Sequence, residues 1–204
     1  MKKNLFIISI VLLFAGAGCS FGSDPEKSTA VTSNTHLEID SPTSPKPTSV
    51  PATDSGTYTN SQFNFSITPP ESWEKKEGFF GSIVAFFSPL SSEADDFSEN
   101  VNAVVGNLEG VKITLSEYAD LNIKQLEAAI EGFSLTKKEQ IKVGNLDAME
   151  TAYSGTMQGE SLSWTQWYII DGSNAFVITY TGRGDDYEAF LKEGKGIVQT
   201  FIIN

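Results

Sequence analysis

Two stretches near the C-terminus constrain the fold more than any other part of this 204-residue chain. In SLSWTQWYIID (161–171), strand alternation sends Trp164, Tyr168 and Ile170 one way and Trp167 and Ile169 the other. In NAFVITYTG (174–182), Phe176, Ile178 and Tyr180 oppose Ala175 and Val177. Strands with large apolar groups on both faces belong to a sheet that is covered on both sides. Asp171-Gly172 joins the first stretch to the second, and this pair suits the positive φ of a tight hairpin. The sheet is therefore expected to be mainly antiparallel and enclosed by other elements.

Those elements are readable upstream and downstream. YTNSQFNFSITPP predicts a first strand carrying Phe63, Phe65 and Ile67, ended by Pro69-Pro70. GSIVAFFSP and NVNAVVGNL read as two more strands, separated by the polar, acidic LSSEADDFSE. TLSEYADLNIKQLEAAIEGF predicts a helix. Thr114 and Glu117 form a capping box, and Leu115, Tyr118, Ala119, Asn122, Leu126, Ala129, Ile130 and Phe133 recur at helical spacing. SLTKKEQIKV then turns at Gly144-Asn145 into LDAMETAYSG, which turns near Gly159 into the first stretch above. DDYEAFLKEGKGIVQTF closes the chain as a second helix. Asp185 is its expected cap, and its expected inner stripe runs through Tyr187, Phe190, Leu191, Gly194, Ile197, Val198 and Phe201. The expected fold class is α+β: a mainly antiparallel central sheet with helices packed on its faces, an α/β/α sandwich.

The N-terminal part has a different character. Lys2 and Lys3 precede an apolar run from Leu5 to Ala15. About eleven residues at 1.5 Å each span only half of a ~30 Å hydrocarbon layer, too short for an ordinary membrane helix. A basic start, a short apolar centre and a small-residue exit mark a secretory signal peptide over residues 1–18. The exit, Gly16-Ala17-Gly18 followed by Cys19, resembles the lipobox of prokaryotic lipoproteins, with glycine where leucine is usual. That resemblance implies cleavage between Gly18 and Cys19, and lipid attachment at the Cys19 thiol. A diacylglyceryl group brings two chains to one residue, and two chains hold a membrane stably where one does not. Residues 19–57 are rich in Ser, Thr and Pro, including Pro42, Pro45, Pro47 and Pro51. Such a segment cannot bury enough apolar surface to order itself, so it is expected to be a disordered tether. The only histidine, His36, lies in it. Residues 58–204 form one domain.

The chain carries 26 acidic against 14 basic side chains, a net charge of −12. This balance disfavours nucleic acid and anionic headgroups as partners. With no Cys or His in the domain, thiol and imidazole nucleophilic sites and His- or Cys-ligated zinc sites are ruled out there. Phosphate-binding glycine loops are also missing from the sequence. No metal site is assigned. Calcium, which takes six to eight oxygens, would be sought in the acidic loop at Asp95, Asp96 and Glu99, with Glu93 nearby. Asp171-Gly172-Ser173-Asn174 is read as a hairpin turn, and Arg183-Gly184-Asp185 as a turn and helix cap rather than an adhesion motif. Trp73 is expected to pack as an anchor closing a loop over the sheet, and Trp164 and Trp167 to be core.

The ordered set FNFSITPPESWE, GSIVAFFSP, ENVNAVV, TLSEYADLNIKQL, QWYIIDGSNAFVITYT and VQTFII resembles the PsbP-like family, which groups with the Mog and DcrB proteins. The resemblance covers nearly all of residues 58–204. It implies an antiparallel sheet between helices and no catalytic activity. The family's namesake is an extrinsic subunit on the lumenal side of photosystem II, where it helps to retain calcium and chloride. Prokaryotic members with a long Ser/Thr/Pro tether occur in non-photosynthetic cells. The expected function is thus a non-enzymatic, membrane-anchored extracytoplasmic lipoprotein. Its domain would bind a membrane or envelope protein, with the membrane lipid engaged through acylated Cys19. Two alternatives stand beside it: a calcium-linked extrinsic subunit of a photosystem II-type complex, and a carboxylate-dependent hydrolase.

Overall fold

The computed structural model describes residues 56–204. The expected signal peptide, His36, Gly18 and the expected lipid attachment at Cys19 lie outside the described residues. Ten strands and two helices follow in the order β1 (Tyr58–Asn60), β2 (Phe65–Ile67), β3 (Glu74–Glu77), β4 (Val84–Phe87), β5 (Asn100–Asn107), α1 (Leu115–Ala129), β6 (Glu131–Val143), β7 (Leu146–Met157), β8 (Glu160–Asp171), β9 (Asn174–Arg183), α2 (Asp186–Gln199) and β10 (Ile202–Ile203).

Seven strands make one sheet in the order β3-β4-β5-β9-β8-β7-β6, every pairing antiparallel. Strands β6 to β9 are a hairpin meander. Helix α1 carries the chain from β5 in mid-sheet to β6 at the far edge. The alternation read from the sequence holds. On one face Trp167, Ile169, Phe176, Ile178 and Tyr180 join Ile197 and Val198 of α2 in the main core. On the other, Tyr168 and Ala175 pack with Tyr118 and Ala119 of α1, and Trp164 packs with Leu126. The helices thus cover opposite faces, as the two-sided strands require. A second sheet, β1-β2-β10, adds to the α2 layer. Phe65 of β2 meets Phe176 edge-on at 5.8 Å, and Phe201 lies 5.4 Å from Phe65 and 5.3 Å from Phe176. Trp73 is buried against α2, with its Nε1 donating to Glu193 Oε2 at 2.8 Å and its ring 6.3 Å from that of Phe190.

The structure corrects several local expectations. The single first strand is a hairpin: Asn60 Oδ1 accepts the Phe63 amide at 2.9 Å and Asn64 has φ 54°, so the chain reverses and Phe63 sits in the turn. The helical stripe stops early. Ile130 is already extended (φ −104°, ψ 120°), Ala129 is exposed, and Phe133 belongs to β6. The chain turns there because Ile130 is drawn onto the sheet beside Gly155, where a Cβ would collide with Ile130 Cγ2. Asp185 stands at the start of α2 without making a capping hydrogen bond. Its backbone is already helical (φ −71°, ψ −25°), and an N-cap needs an extended backbone to reach the N3 amide. The last hairpin forms over Asp171-Gly172-Ser173-Asn174 as expected, with Asp171 paired to Asn174 and Gly172 at positive φ. Strands β3 and β10 are additions to the sequence reading. The Thr114–Glu117 capping box forms as expected, with each partner bonded to the other.

Candidate functional site

Two places on the domain gather the residues from which chemistry or binding could arise. The first is where the loop after β4, the end of β9 and the start of α2 meet. Asp95 is fixed within its own loop: its carboxylate accepts the Ser91 amide at 2.9 Å, the Ser91 hydroxyl at 3.2 Å and the Phe97 amide at 3.0 Å. The same Ser91 hydroxyl lies 3.0 Å from Asp186 Oδ2, so its one proton is shared between the two carboxylates and ties the loop to α2. Glu99, only 1% exposed, accepts the Arg183 backbone amide at 3.3 Å and the Ser88 hydroxyl at 3.4 Å. Carboxylate oxygens of Asp95, Glu99 and Asp186 lie within 4.8 Å of one another.

Two of the three residues singled out in the acidic loop therefore converge, and the third does not. Asp96 is exposed and takes the Arg183 guanidinium at 2.5 Å. Glu93 is exposed as well. The partner that sequence reasoning missed is Asp186, distant in the chain and hidden behind the reading of Asp185 as a cap. Arg183 organises the surroundings: its guanidinium also lies 3.5 Å from Asp95 and 3.7 Å from Glu160, and it covers the Phe97 ring at 5.1 Å.

The electrostatics differ sharply within the cluster. Burial pushes the Glu99 carboxyl above its ordinary range, and the charges of Asp186 and Asp95 push the same way, against the Arg183 amide. Partial burial opposes ionisation of Asp95 too. There the Phe97 and Ser91 donors and the Arg183 charge outweigh it, holding that carboxyl below its usual value. Chemically, Asp95, Glu99 and Asp186 could offer one oxygen each to a divalent cation, short of the six to eight that calcium takes. The adjacent guanidinium already provides positive charge to the group.

The second place is an open groove of ≈ 570 Å³ at the end of the large sheet. Its apolar part comes from Leu108, Val111, Ile113 and Ile170, and its rim includes Lys112 and Glu117. The loop from β5 to α1 forms one wall, with Glu109 and Gly110 both at positive φ (50° and 78°). The β8–β9 turn forms another, joined to the first by the Leu108 amide donating to Ser173 O at 2.8 Å. Val111 stands 63% exposed on this wall. Glu117 is committed to the capping box of α1, and none of Asp95, Glu99 and Asp186 lines the groove. The converging acids and this groove are thus separate. Among the described residues no helix is long and apolar enough to cross a membrane.

No protein-family profile matches the chain, and no curated protein matches it in sequence. Solved structures do match in fold. Cyanobacterial PsbP (CyanoP) from Synechocystis sp. PCC 6803 superposes with a TM-score of 0.55 at 10% identity, covering 73% of this chain and 92% of that one. LpqN of Mycobacterium tuberculosis, involved in cell envelope biogenesis, gives 0.53 at 12% identity over 71% and 86%. PA94 of Pseudomonas aeruginosa, a protein of unknown function, gives 0.52 at 18% identity over 73% and 96%. The domain therefore has a PsbP-like fold, as its ordered motifs suggested. At these identities the likeness concerns the fold.

Proposed function

We propose that this chain is a membrane-tethered, non-catalytic binding module on the outer face of the cytoplasmic membrane. It would be held by lipid on Cys19 and would use its PsbP-like domain to engage a membrane or envelope protein. The observation that carries the binding role is the open groove beside Val111: an exposed apolar surface with a polar rim, away from the carboxylate cluster. An open hollow of that kind suits a protein surface better than a small molecule, which is ordinarily enclosed over most of its area. The involvement of LpqN in envelope biogenesis supports the setting. Support for the anchor comes from Gly16-Ala17-Gly18-Cys19 and from the Ser/Thr/Pro-rich stretch that would separate the anchor from the domain.

The test is site-specific photo-crosslinking in membranes, with the reactive group placed at Val111 in one chain and at Leu135 on the outer strand β6 in another. The proposal expects a discrete adduct from position 111 and none from 135. Equal yields from both, or none from 111, count against it. A calcium-linked role is disfavoured, because the Arg183 guanidinium already stands beside the three-carboxylate cluster.

A further inference from the structure

The α1-side face of the large sheet is polar at its centre. The register sets Thr151, Gln166, Thr179 and Asn102 side by side across β7, β8, β9 and β5, and the adjoining row sets Thr181 opposite Asn100. All six are buried. Apolar contacts close the seam at both ends, Tyr118 of α1 on Tyr168 at one and Leu126 on Trp164 at the other. Helix α1 thus rests on the sheet through two apolar footings with a polar layer between them.

Part of this layer is satisfied internally. Gln166 Nε2 donates to Thr179 Oγ1 at 3.0 Å, and the Tyr168 hydroxyl donates to Gln166 Oε1 at 2.5 Å. Among the other buried polar atoms, Asn100 Nδ2, Thr181 Oγ1 and Gln125 Oε1 make no hydrogen bond to any described protein atom. Asn100 and Thr181 are 2% and 1% exposed. Gln125 lies at helical spacing on the same side of α1 as Tyr118. Buried polar groups in folded proteins are paired in about nine cases of ten, with protein or with ordered water. The three atoms are an amide donor, a hydroxyl and a carbonyl acceptor, and water can both donate and accept. Opposed residues on antiparallel strands have Cα atoms about 4.5–5.5 Å apart, so a single water, about 2.8 Å from each, spans their side chains.

We infer that bound water completes this seam, with one molecule bridging Asn100 Nδ2 and Thr181 Oγ1 between β5 and β9. A high-resolution crystal structure of the chain tests this directly. The inference expects ordered water within about 3.2 Å of both Asn100 Nδ2 and Thr181 Oγ1. Direct bonding between the side chains, or a molecule other than water at that place, overturns it.

Thermal unfolding supplies a second arm. With water in the seam, Thr181→Val removes one of the water's partners and lowers Tm, and adding Asn100→Leu lowers it by less than the sum of the two single changes. In a dry seam Thr181→Val raises Tm, because an orphaned hydroxyl is gone, and the two changes are additive. If Thr181→Val does not fold, the wild-type electron density decides alone.

Discussion

Gly194 of α2 sits directly on the ring of Tyr180, where an added Cβ would come within 2.8 Å of Tyr180 Cδ2. This contact sets how closely α2 lies on β9. On propensity alone Gly194→Ala gains about 1 kcal/mol in a helix interior. Forcing a methyl group into a filled contact costs about 1–3 kcal/mol. Because the Tyr180 ring is buried and its hydroxyl is bonded to Tyr187 O at 2.8 Å, the ring cannot easily give way. Gly194→Ala is expected to destabilise the domain, whereas Gly196→Ala, with open space around its Cβ position, is expected to stabilise it. Urea unfolding of the two variants provides the comparison.

Sequence periodicity reveals the close approach of α2 only halfway. It places Gly194 on the inner stripe, where it reads as a weakness of the helix, and the Tyr180 ring beneath it becomes visible only in the fold. Other features were fully legible. The two-sided apolar pattern of β8 and β9 dictates a covered sheet, and Thr114 with Glu117 dictates the start of α1. Strand β3 was not legible, since Glu74-Lys75-Lys76-Glu77 has no apolar alternation. It is a strand because its backbone pairs with β4, with Lys76 Nζ over the Phe87 ring at 4.8 Å. In the acidic loop, composition pointed to Asp95 and Glu99 correctly. Asp186 reaches them by the tertiary meeting of α2 with that loop, which no local spacing encodes.

The carboxylate cluster makes a prediction about pH. The carboxyl of Glu99 is raised in the folded state above its ordinary 4.5, so its ionised form opposes folding once pH rises through the folded-state value. Glu99→Gln mimics the protonated form. It is expected to raise stability at pH 7, by an increment that shrinks as pH falls and vanishes below about 4.5. Asp95 runs the other way. Its carboxyl is depressed below 3.8 in the fold, so its contribution is present above that value and is lost as pH falls through the folded-state one. Asp95→Asn is therefore expected to lower stability at neutral pH. Chemical denaturation across pH 3–8 separates the two signs.

The capping box at α1 bears on the groove, because Thr114 and Glu117 belong to both. Thr114→Ala removes the side-chain acceptor of the Glu117 amide and is expected to cost about 1 kcal/mol. Hydrogen exchange should quicken first at the start of α1 and leave α2 unchanged. A uniform loss of protection across both helices contradicts this.

Buried Glu150 joins β7 to two lysines, Lys137 Nζ at 3.0 Å and Lys195 Nζ at 3.6 Å. Lys137 comes from β6 and Lys195 from α2, so the carboxylate helps to fasten the edge strand and the helix to the sheet. Lys137→Met is expected to destabilise less than Glu150→Ala, since Lys195 still faces the carboxylate. Thermal melts of both variants at one pH test that ranking.

The proposal that lipid on Cys19 holds the domain at a membrane is decided by the covalent state of that residue. Intact-mass and N-terminal peptide mass spectrometry of the protein from a prokaryotic host should find a mature chain that begins at Cys19 and carries a diacylglyceryl group on its sulfur. A mature chain that begins elsewhere, or an unmodified Cys19 thiol, overturns that proposal.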